Sequence, residues 1–144
     1  MRISIIQDTI FWADKEANLQ KTEAQLRPLS GQTDLVVLPE MFTTGFCTDQ
    51  LDLAESMEGV TVQTLKKWAV TYQLAFTGSF IATEKEQIFN RSFFVFPTGE
   101  IQTTEGASAQ ALKKKKSLKS TQVSFDDVLV QGKYQFADEA VTTI

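Results

Sequence analysis

The chain has 144 residues, of which 42% are hydrophobic and 22% charged, which suits one soluble domain with a substantial core. A net charge of −4 gives no electrostatic reason to expect binding to nucleic acid or to an anionic membrane. The sequence contains no His, which excludes Ser-His-Asp hydrolysis, Cys-His proteolysis and His-ligated zinc. We expect no metal ion and no cofactor, and any acid–base chemistry must come from Asp, Glu, Lys, Cys or Tyr.

A single Cys cannot form an internal disulfide, which fits a reducing compartment. Residues 1–8 contain no apolar stretch long enough for a signal peptide. No window of the sequence approaches the roughly 20 apolar residues that a membrane span needs. We therefore expect a cytoplasmic protein.

The first elements in chain order form a strand–helix–strand pattern. An Ile-rich run predicts a buried strand over residues 2–7. Asp14 can cap a helix that should end near Pro28. After a loop at residues 30–33, the apolar run 34–39 predicts a strand that is covered on both faces. This pattern predicts a βαβ unit in an α/β fold.

The middle of the chain predicts one more helix and a pair of strands. Residues 60–72 are amphipathic, and Trp68 and Tyr72 at helical spacing indicate a core-facing side. Residues 74–82 read as a strand, and residues 88–97 as its antiparallel partner beyond a charged turn.

The composition of the chain changes after Gln102. Residues 1–102 have a net charge of −5, whereas residues 103–144 have a net charge of +1 and are rich in Ala, Ser, Thr, Gln and Lys. We therefore predict a domain portion over residues 1–102 and a tail of uncertain fold over residues 103–144.

The best candidate for chemistry is Glu40, which follows the apolar run 34–39 directly. In open α/β sheets, ligands bind outside the carboxyl ends of the strands, so a carboxylate there is well placed. Its neighbours Pro39, Met41 and Phe42 would partly desolvate the carboxylate, which suits a general base. The alternative is a solvated Glu in a strand-to-loop turn, and position alone leaves both interpretations open.

Residues 35–46, Leu-Val-Val-Leu-Pro-Glu-Met-Phe-Thr-Thr-Gly-Phe, resemble the segment that carries the first catalytic Glu of carbon–nitrogen hydrolases. The resemblance is to the omega-amidase-like branch of the nitrilase superfamily. Further similar stretches follow in order at residues 3–7, 18–19, 78–79 and 90–99. The resemblance covers residues 1 to about 102, and it implies the N-terminal portion of an αββα four-layer sandwich.

The resemblance also implies a chemistry, the hydrolysis of small ω-amides by a Glu-Lys-Cys triad with Glu40 as its Glu. In such a triad the thiolate attacks the amide carbon, the carboxylate takes the thiol proton and the ammonium stabilises the oxyanion. The implied partner is a small-molecule amide, and the intact family member is expected to be a homodimer.

Only Glu40 of this triad has a counterpart in the sequence. The family's Lys is expected near residues 103–106, where the chain has Thr-Thr-Glu-Gly, and no Cys follows Cys47. Cys47 lies in the same loop as Glu40, but a lone loop Cys is more often incidental than nucleophilic. The run Lys113–Lys116 is more often a solvated surface than an oxyanion donor or a nucleic-acid site.

We therefore expect the chain by itself to be inactive. The alternative is a non-catalytic, truncated remnant that binds a partner through an unpaired sheet edge. The abrupt loss of the family's pattern near residue 102, with Lys where Glu is expected, suggests a shift of reading frame as the origin of the tail.

Overall fold

The computed structural model describes residues 1–47, 50–108 and 141–143. Two helices and six strands lie within these described residues. In chain order they are β1 (Ile3–Ile5), α1 (Lys15–Leu26), β2 (Leu35–Val37), α2 (Val60–Tyr72), β3 (Ala75–Glu84), β4 (Gln87–Val95), β5 (Ile101–Ser108) and β6 (Val141–Thr143). Short 3-10 turns follow α1 and precede α2. No helix in these ranges is long and apolar enough to cross a membrane.

The six strands form one mixed sheet in the order β5-β4-β3-β2-β1-β6. Strands β6, β1, β2 and β3 pair in parallel with one another, whereas β4 pairs antiparallel with both β3 and β5. The predicted βαβ unit is confirmed, because β1 and β2 pair in parallel on either side of α1. The α/β fold class is therefore confirmed. Strand β5 crosses the composition change at residues 102–103, and the run Lys113–Lys116 lies outside the described residues.

The helices begin and end where local chemistry dictates. The Asp14 carboxylate accepts a hydrogen bond of 3.0 Å from the Ala17 N–H, which confirms the predicted cap of α1. Pro28 lies in the 3-10 turn directly after α1, as expected. Helix α2 has the predicted bounds and ends at Gln73, which has a left-handed backbone with φ of 55°.

Both helices cover the same face of the sheet. Because residues paired across strands point to one face, Val36, Phe76 and Val95 lie together beneath the helices. Trp68 of α2 packs on Phe76 with the ring centroids 6.5 Å apart. The other face carries a smaller buried cluster, made of Met41, Cys47 and Ile81.

The predicted covering of the second strand is confirmed for its first two residues. Leu35 and Val36 point to opposite faces of the sheet and both are buried, whereas Val37 is half-buried. The strand β6 was not predicted, because a three-residue element is too short to show a periodic pattern.

Candidate active site

Glu40 lies three residues beyond β2, at the sheet edge where the carboxyl ends of the parallel strands β1, β2 and β3 meet. The chain stays beside β3 after the strand ends, since the Leu38 N–H donates a hydrogen bond of 2.8 Å to the Thr77 carbonyl. It then turns sharply at Met41, whose φ is +47°.

The left-handed backbone of Met41 is unusual for a residue that is not Gly, Asn or Asp, and such strain costs about 1–3 kcal/mol. Two kinds of contact maintain it. The Ser79 Oγ accepts a hydrogen bond of 3.0 Å from the Met41 N–H, and the Ser79 carbonyl accepts one of 3.3 Å from the Phe42 N–H. The Met41 carbonyl in turn accepts hydrogen bonds from the N–H groups of Thr44 and Gly45, at 3.1 and 2.8 Å.

Gly78 permits the close approach of the segment before Glu40. A Cβ atom at Gly78 would lie 3.0 Å from the Leu38 Cβ and 3.1 Å from the Phe93 Cζ. Both are tighter than an ordinary van der Waals contact, so any larger residue would displace Leu38 or Phe93. Gly78 and Ser79 therefore position the loop that carries Glu40 from two adjacent places on β3.

The Glu40 carboxylate lies on the face of the sheet opposite the helices. Its Oε1 accepts a hydrogen bond of 2.6 Å from the Asn90 side-chain amide Nδ2, and the residues are 50 positions apart in the chain. Asn90 pairs with Ile81 of β3 and points to the same face as Ile81. The structure thus brings together two residues from separate stretches of the family resemblance.

The expected desolvation of Glu40 by its neighbours is wrong. Met41 and Phe42 are each only 2% exposed and pack into the two buried clusters of the protein, whereas Glu40 is exposed. The reason is the turn at Met41, which directs the two apolar side chains inward and the carboxylate outward.

One side chain joins the loops after β1 and β2. Asn18 of α1 is 3% exposed, and its Nδ2 donates hydrogen bonds to the carbonyls of Phe11 (2.7 Å) and Thr43 (2.8 Å). Its Oδ1 accepts a hydrogen bond of 2.8 Å from the Phe11 N–H. The Ala13 N–H adds a hydrogen bond of 2.8 Å to the Thr44 carbonyl. In the sequence, Asn18 stands out only through the resemblance, and no local pattern indicates its buried role.

Cys47 is fully buried, and its thiol donates a hydrogen bond of 3.1 Å to the Thr44 carbonyl. The side chain packs in the cluster with Met41 and Ile81. A nucleophilic thiol must reach its substrate, so this environment agrees with a structural Cys.

The positions expected for the family's Lys lie in β5, where Thr103 and Thr104 pair with Phe93 and Ser92 of β4. Two lysines of the described residues form ion pairs with carboxylates other than Glu40. Lys15 lies 3.2 Å from Glu55, and Lys21 lies 2.8 Å from Asp8. Among the described residues, no group of three or more Cys, Asp or Glu side chains could hold a metal ion.

A groove of about 350 Å³ lies between α1 and α2, lined in part by Leu19, Val60, Thr64 and Trp68. Because both helices cover the face opposite Glu40, this groove is not part of the candidate active site.

The comparisons with known proteins agree with this geometry. The sequence model described as carbon-nitrogen hydrolase matches residues 2–122. The chain therefore belongs to the carbon–nitrogen hydrolase family, within the omega-amidase-like part of the nitrilase superfamily. Its sheet and helices are the N-terminal part of the sandwich fold of that superfamily.

The relatives define how much of the family fold the chain represents. It is 32% identical to "Omega-amidase YafV" of Yersinia enterocolitica over 101 residues, which are 70% of this chain and 39% of that protein. It is 29% identical to "2-oxoglutaramate amidase" of Bacillus subtilis, over 69% of this chain and 39% of that protein. The crystal structure of XC1258 from Xanthomonas campestris, a CN-hydrolase superfamily protein, matches with a TM-score of 0.69 and 39% identity. That match covers 72% of this chain and 39% of XC1258. The chain thus spans about two fifths of these relatives.

Proposed function

We propose that the protein is a carbon–nitrogen hydrolase of the omega-amidase type, in which Glu40 is the general base. The observation that carries the proposal is the placement of Glu40 at the carboxyl edge of the parallel strands, with Asn90 bound to one of its carboxylate oxygens. The names of the relatives, an omega-amidase and a 2-oxoglutaramate amidase, support a small ω-amide as the substrate class.

The mechanism in this proposal needs two more groups. A thiol attacks the amide carbon while Glu40 accepts the thiol proton, and an ammonium group stabilises the oxyanion. Residues 103–106 contain no Lys, and the chain's one Cys is buried. We therefore propose that the 144 residues by themselves do not hydrolyse ω-amides, and that the protein is cytoplasmic and, as in an intact family member, dimeric.

The test of Glu40 uses a chimera, in which residues 1–102 are joined to the part of the Yersinia enterocolitica omega-amidase that follows the matched region. We expect ammonia release from succinamate, with kcat/KM reduced at least about 100-fold by Glu40→Gln, as for loss of a general base. The matched control is Glu16→Gln on the exposed surface of α1, which should leave the rate unchanged. An active chimera that tolerates Glu40→Gln would contradict the role of Glu40.

The 144-residue chain is assayed alone in parallel, and no ammonia release above the buffer rate is expected. Turnover that disappears in Glu40→Gln or in Cys47→Ala would contradict the proposed inactivity.

The second candidate function is a non-catalytic, truncated remnant that binds a partner. The observation that favours it is the burial of the single Cys. Co-purification of the chain with an intact omega-amidase subunit would support that alternative, and a monomeric chain without partners would contradict it.

A further inference from the structure

The nitrogen and the oxygen of the Asn90 side-chain amide differ in their hydrogen bonding. Its Nδ2 donates a hydrogen bond of 2.6 Å to the Glu40 Oε1. Its Oδ1 is buried and has no hydrogen-bond partner among the described residues. A buried acceptor without a partner is rare in folded proteins and calls for an explanation.

The backbone at Asn90 is also irregular. The register between β4 and β5 shifts between Phe89 and Arg91, so Asn90 lies at the irregularity. Irregularities of this kind alter the direction of a side chain and are frequent beside active sites. On its other side, Asn90 keeps regular antiparallel pairing with Ile81 of β3. The backbone of Asn90 is therefore held in place by β3, and the terminal amide can turn about the last side-chain bond.

Hydrogen-bond chemistry links the orientation of this amide to the protonation of Glu40. An ionised carboxylate only accepts hydrogen bonds, so the NH₂ group of Asn90 must face it. A protonated carboxyl group can donate as well as accept, so the Asn90 Oδ1 can then also serve as its partner. A half-turn of the amide exchanges its two ends. Because Oδ1 makes no other bond within the described structure, the half-turn breaks only the bond to Glu40.

We propose that Asn90 is a positioning residue whose amide turns over when Glu40 takes up a proton. In the resting state the Nδ2–H group binds the carboxylate. When Glu40 accepts a proton, from water in this chain or from a thiol in the proposed reaction, an O–H bond forms on the carboxyl group. The donor of the proton keeps the electron pair of the bond that breaks. The new O–H group then donates to Oδ1, so Asn90 binds Glu40 in both protonation states.

In the loop of residues 38–47 and on strands β3 and β4, no other charged residue shares the sheet face of the Glu40–Asn90 pair. Within residues 38–47 Glu40 is the one charged residue, and Ile88 and Ser92, which share the face of Asn90, are uncharged. On β3, the residues that share this face near Ile81 are Ser79 and Thr83, which are also uncharged. Arg91 points to the opposite face, where its guanidinium lies 2.6 Å from the Glu84 carboxylate.

The sequence provides an unusually simple measurement, because its two Asn residues are Asn18 and Asn90. In a sample of the 144-residue chain labelled with ¹⁵N at Asn, NMR spectra contain two side-chain amide groups. Both ends of the Asn18 amide are hydrogen-bonded to backbone groups, so Asn18 is an internal control that does not rotate. The chain is titrated with acid in the wild type and in Glu40→Gln, a change at an exposed position that should not disturb the fold.

We expect the Asn90 amide protons to lose their carboxylate-bound, downfield shift in a single step as the pH falls, together with their NOE contacts to Glu40. The Asn18 signals should not move, and Glu40→Gln should abolish the step. An Asn90 signal that ignores pH, that keeps the NOE contacts to Glu40 after the step, or that titrates equally in Glu40→Gln would overturn the proposal. This inference rests on the proposed function for its catalytic meaning, but the NMR measurement requires no turnover. An active chimera that tolerates Glu40→Gln and an Asn90 amide that does not respond to pH are therefore separate failures.

Discussion

The hydroxyl oxygen of Ser79 accepts a hydrogen bond of 3.0 Å from the backbone N–H of Met41, the residue whose left-handed backbone follows Glu40. Ser79→Ala removes this acceptor and leaves a buried N–H without a partner, which costs about 1–3 kcal/mol. We expect the free energy of unfolding in urea to fall by that amount. The control is Ser92→Ala on β4, because Ser92 pairs with Ser79 but its hydroxyl makes no hydrogen bond within the described residues. Equal losses in the two variants would contradict the role of Ser79.

A second prediction concerns Glu55, which stabilises the start of α2. Its Oε1 accepts a hydrogen bond of 3.1 Å from the Thr61 N–H, and its Oε2 lies 3.2 Å from the Lys15 Nζ. The Glu55 and Lys15 side chains are 9% and 20% exposed, so removing one partner leaves a poorly solvated charge. We expect Glu55→Ala to lower the free energy of unfolding by about 3 kcal/mol.

The control for this prediction is Glu58→Ala, since Glu58 is exposed in the same loop. It should change the free energy of unfolding by less than about 0.5 kcal/mol, as is usual for surface positions. The double variant Lys15→Met/Glu55→Ala should recover part of the loss. If the double variant loses as much free energy of unfolding as the two single variants together, the two side chains do not interact.

The third prediction concerns acid. A hydrogen bond from Lys21, at 2.8 Å, and one from the Thr9 N–H lower the pKa of Asp8 below its ordinary value of 3.8. Since the pKa is lower in the folded state, the stabilisation is complete above pH 3.8 and is lost as the pH falls through the folded pKa. Asp8→Asn should therefore lower the urea midpoint well above pH 3.8 and have little effect at strongly acidic pH.

Lys21→Met removes the main cause of the lowered pKa of Asp8. Like Asp8→Asn, it should make the urea midpoint less dependent on pH in the acid range. Combining it with Asp8→Asn should add little further change at any pH, because both substitutions remove one interaction. An acid dependence that persists in both variants would assign it to other carboxylates, among them Asp34, whose pKa is lowered by the Arg2 N–H.

The fourth prediction concerns the single Cys. Because Cys47 is fully buried, we expect it to react with a thiol reagent only after local or global unfolding. The thiol of the native chain should therefore react far more slowly than the thiol of the chain unfolded in urea. Cys47→Ala should be mildly destabilising and should not change the rate of the active chimera. Rapid reaction of the native thiol would contradict the buried position.

The sequence predicts those parts of the fold that depend on local signals. Asp14 as a cap and the apolar pattern of residues 60–72 predict α1 and α2, because caps and periodicity act within a few residues. The contacts around Glu40 depend on distant pairs, since Ser79 is 38 residues from Met41 and Asn90 is 50 residues from Glu40. A single sequence does not show which of these partners will meet.

The exposure of Glu40 agrees with the alternative of a solvated Glu in a strand-to-loop turn, which position alone could not distinguish from a desolvated carboxylate. It follows from the positive φ of Met41, and Met carries no sequence signal for that conformation, unlike Gly. The place of Glu40 directly after a buried strand correctly indicated that it lies at the sheet edge. The apolar residues beside it in the sequence, however, led to a wrong expectation for its solvation.

The three hydrogen bonds of Asn18 have a consequence for protein engineering. Loop exchange between family members is a common way to alter substrate preference, and it treats each strand-to-helix loop as a separate cassette. Here the loop after β1, through Phe11, and the loop after β2, through Thr43, share one amide group. A graft of either loop alone would leave buried polar groups of the other without partners, so the two loops and Asn18 should be transferred as one unit.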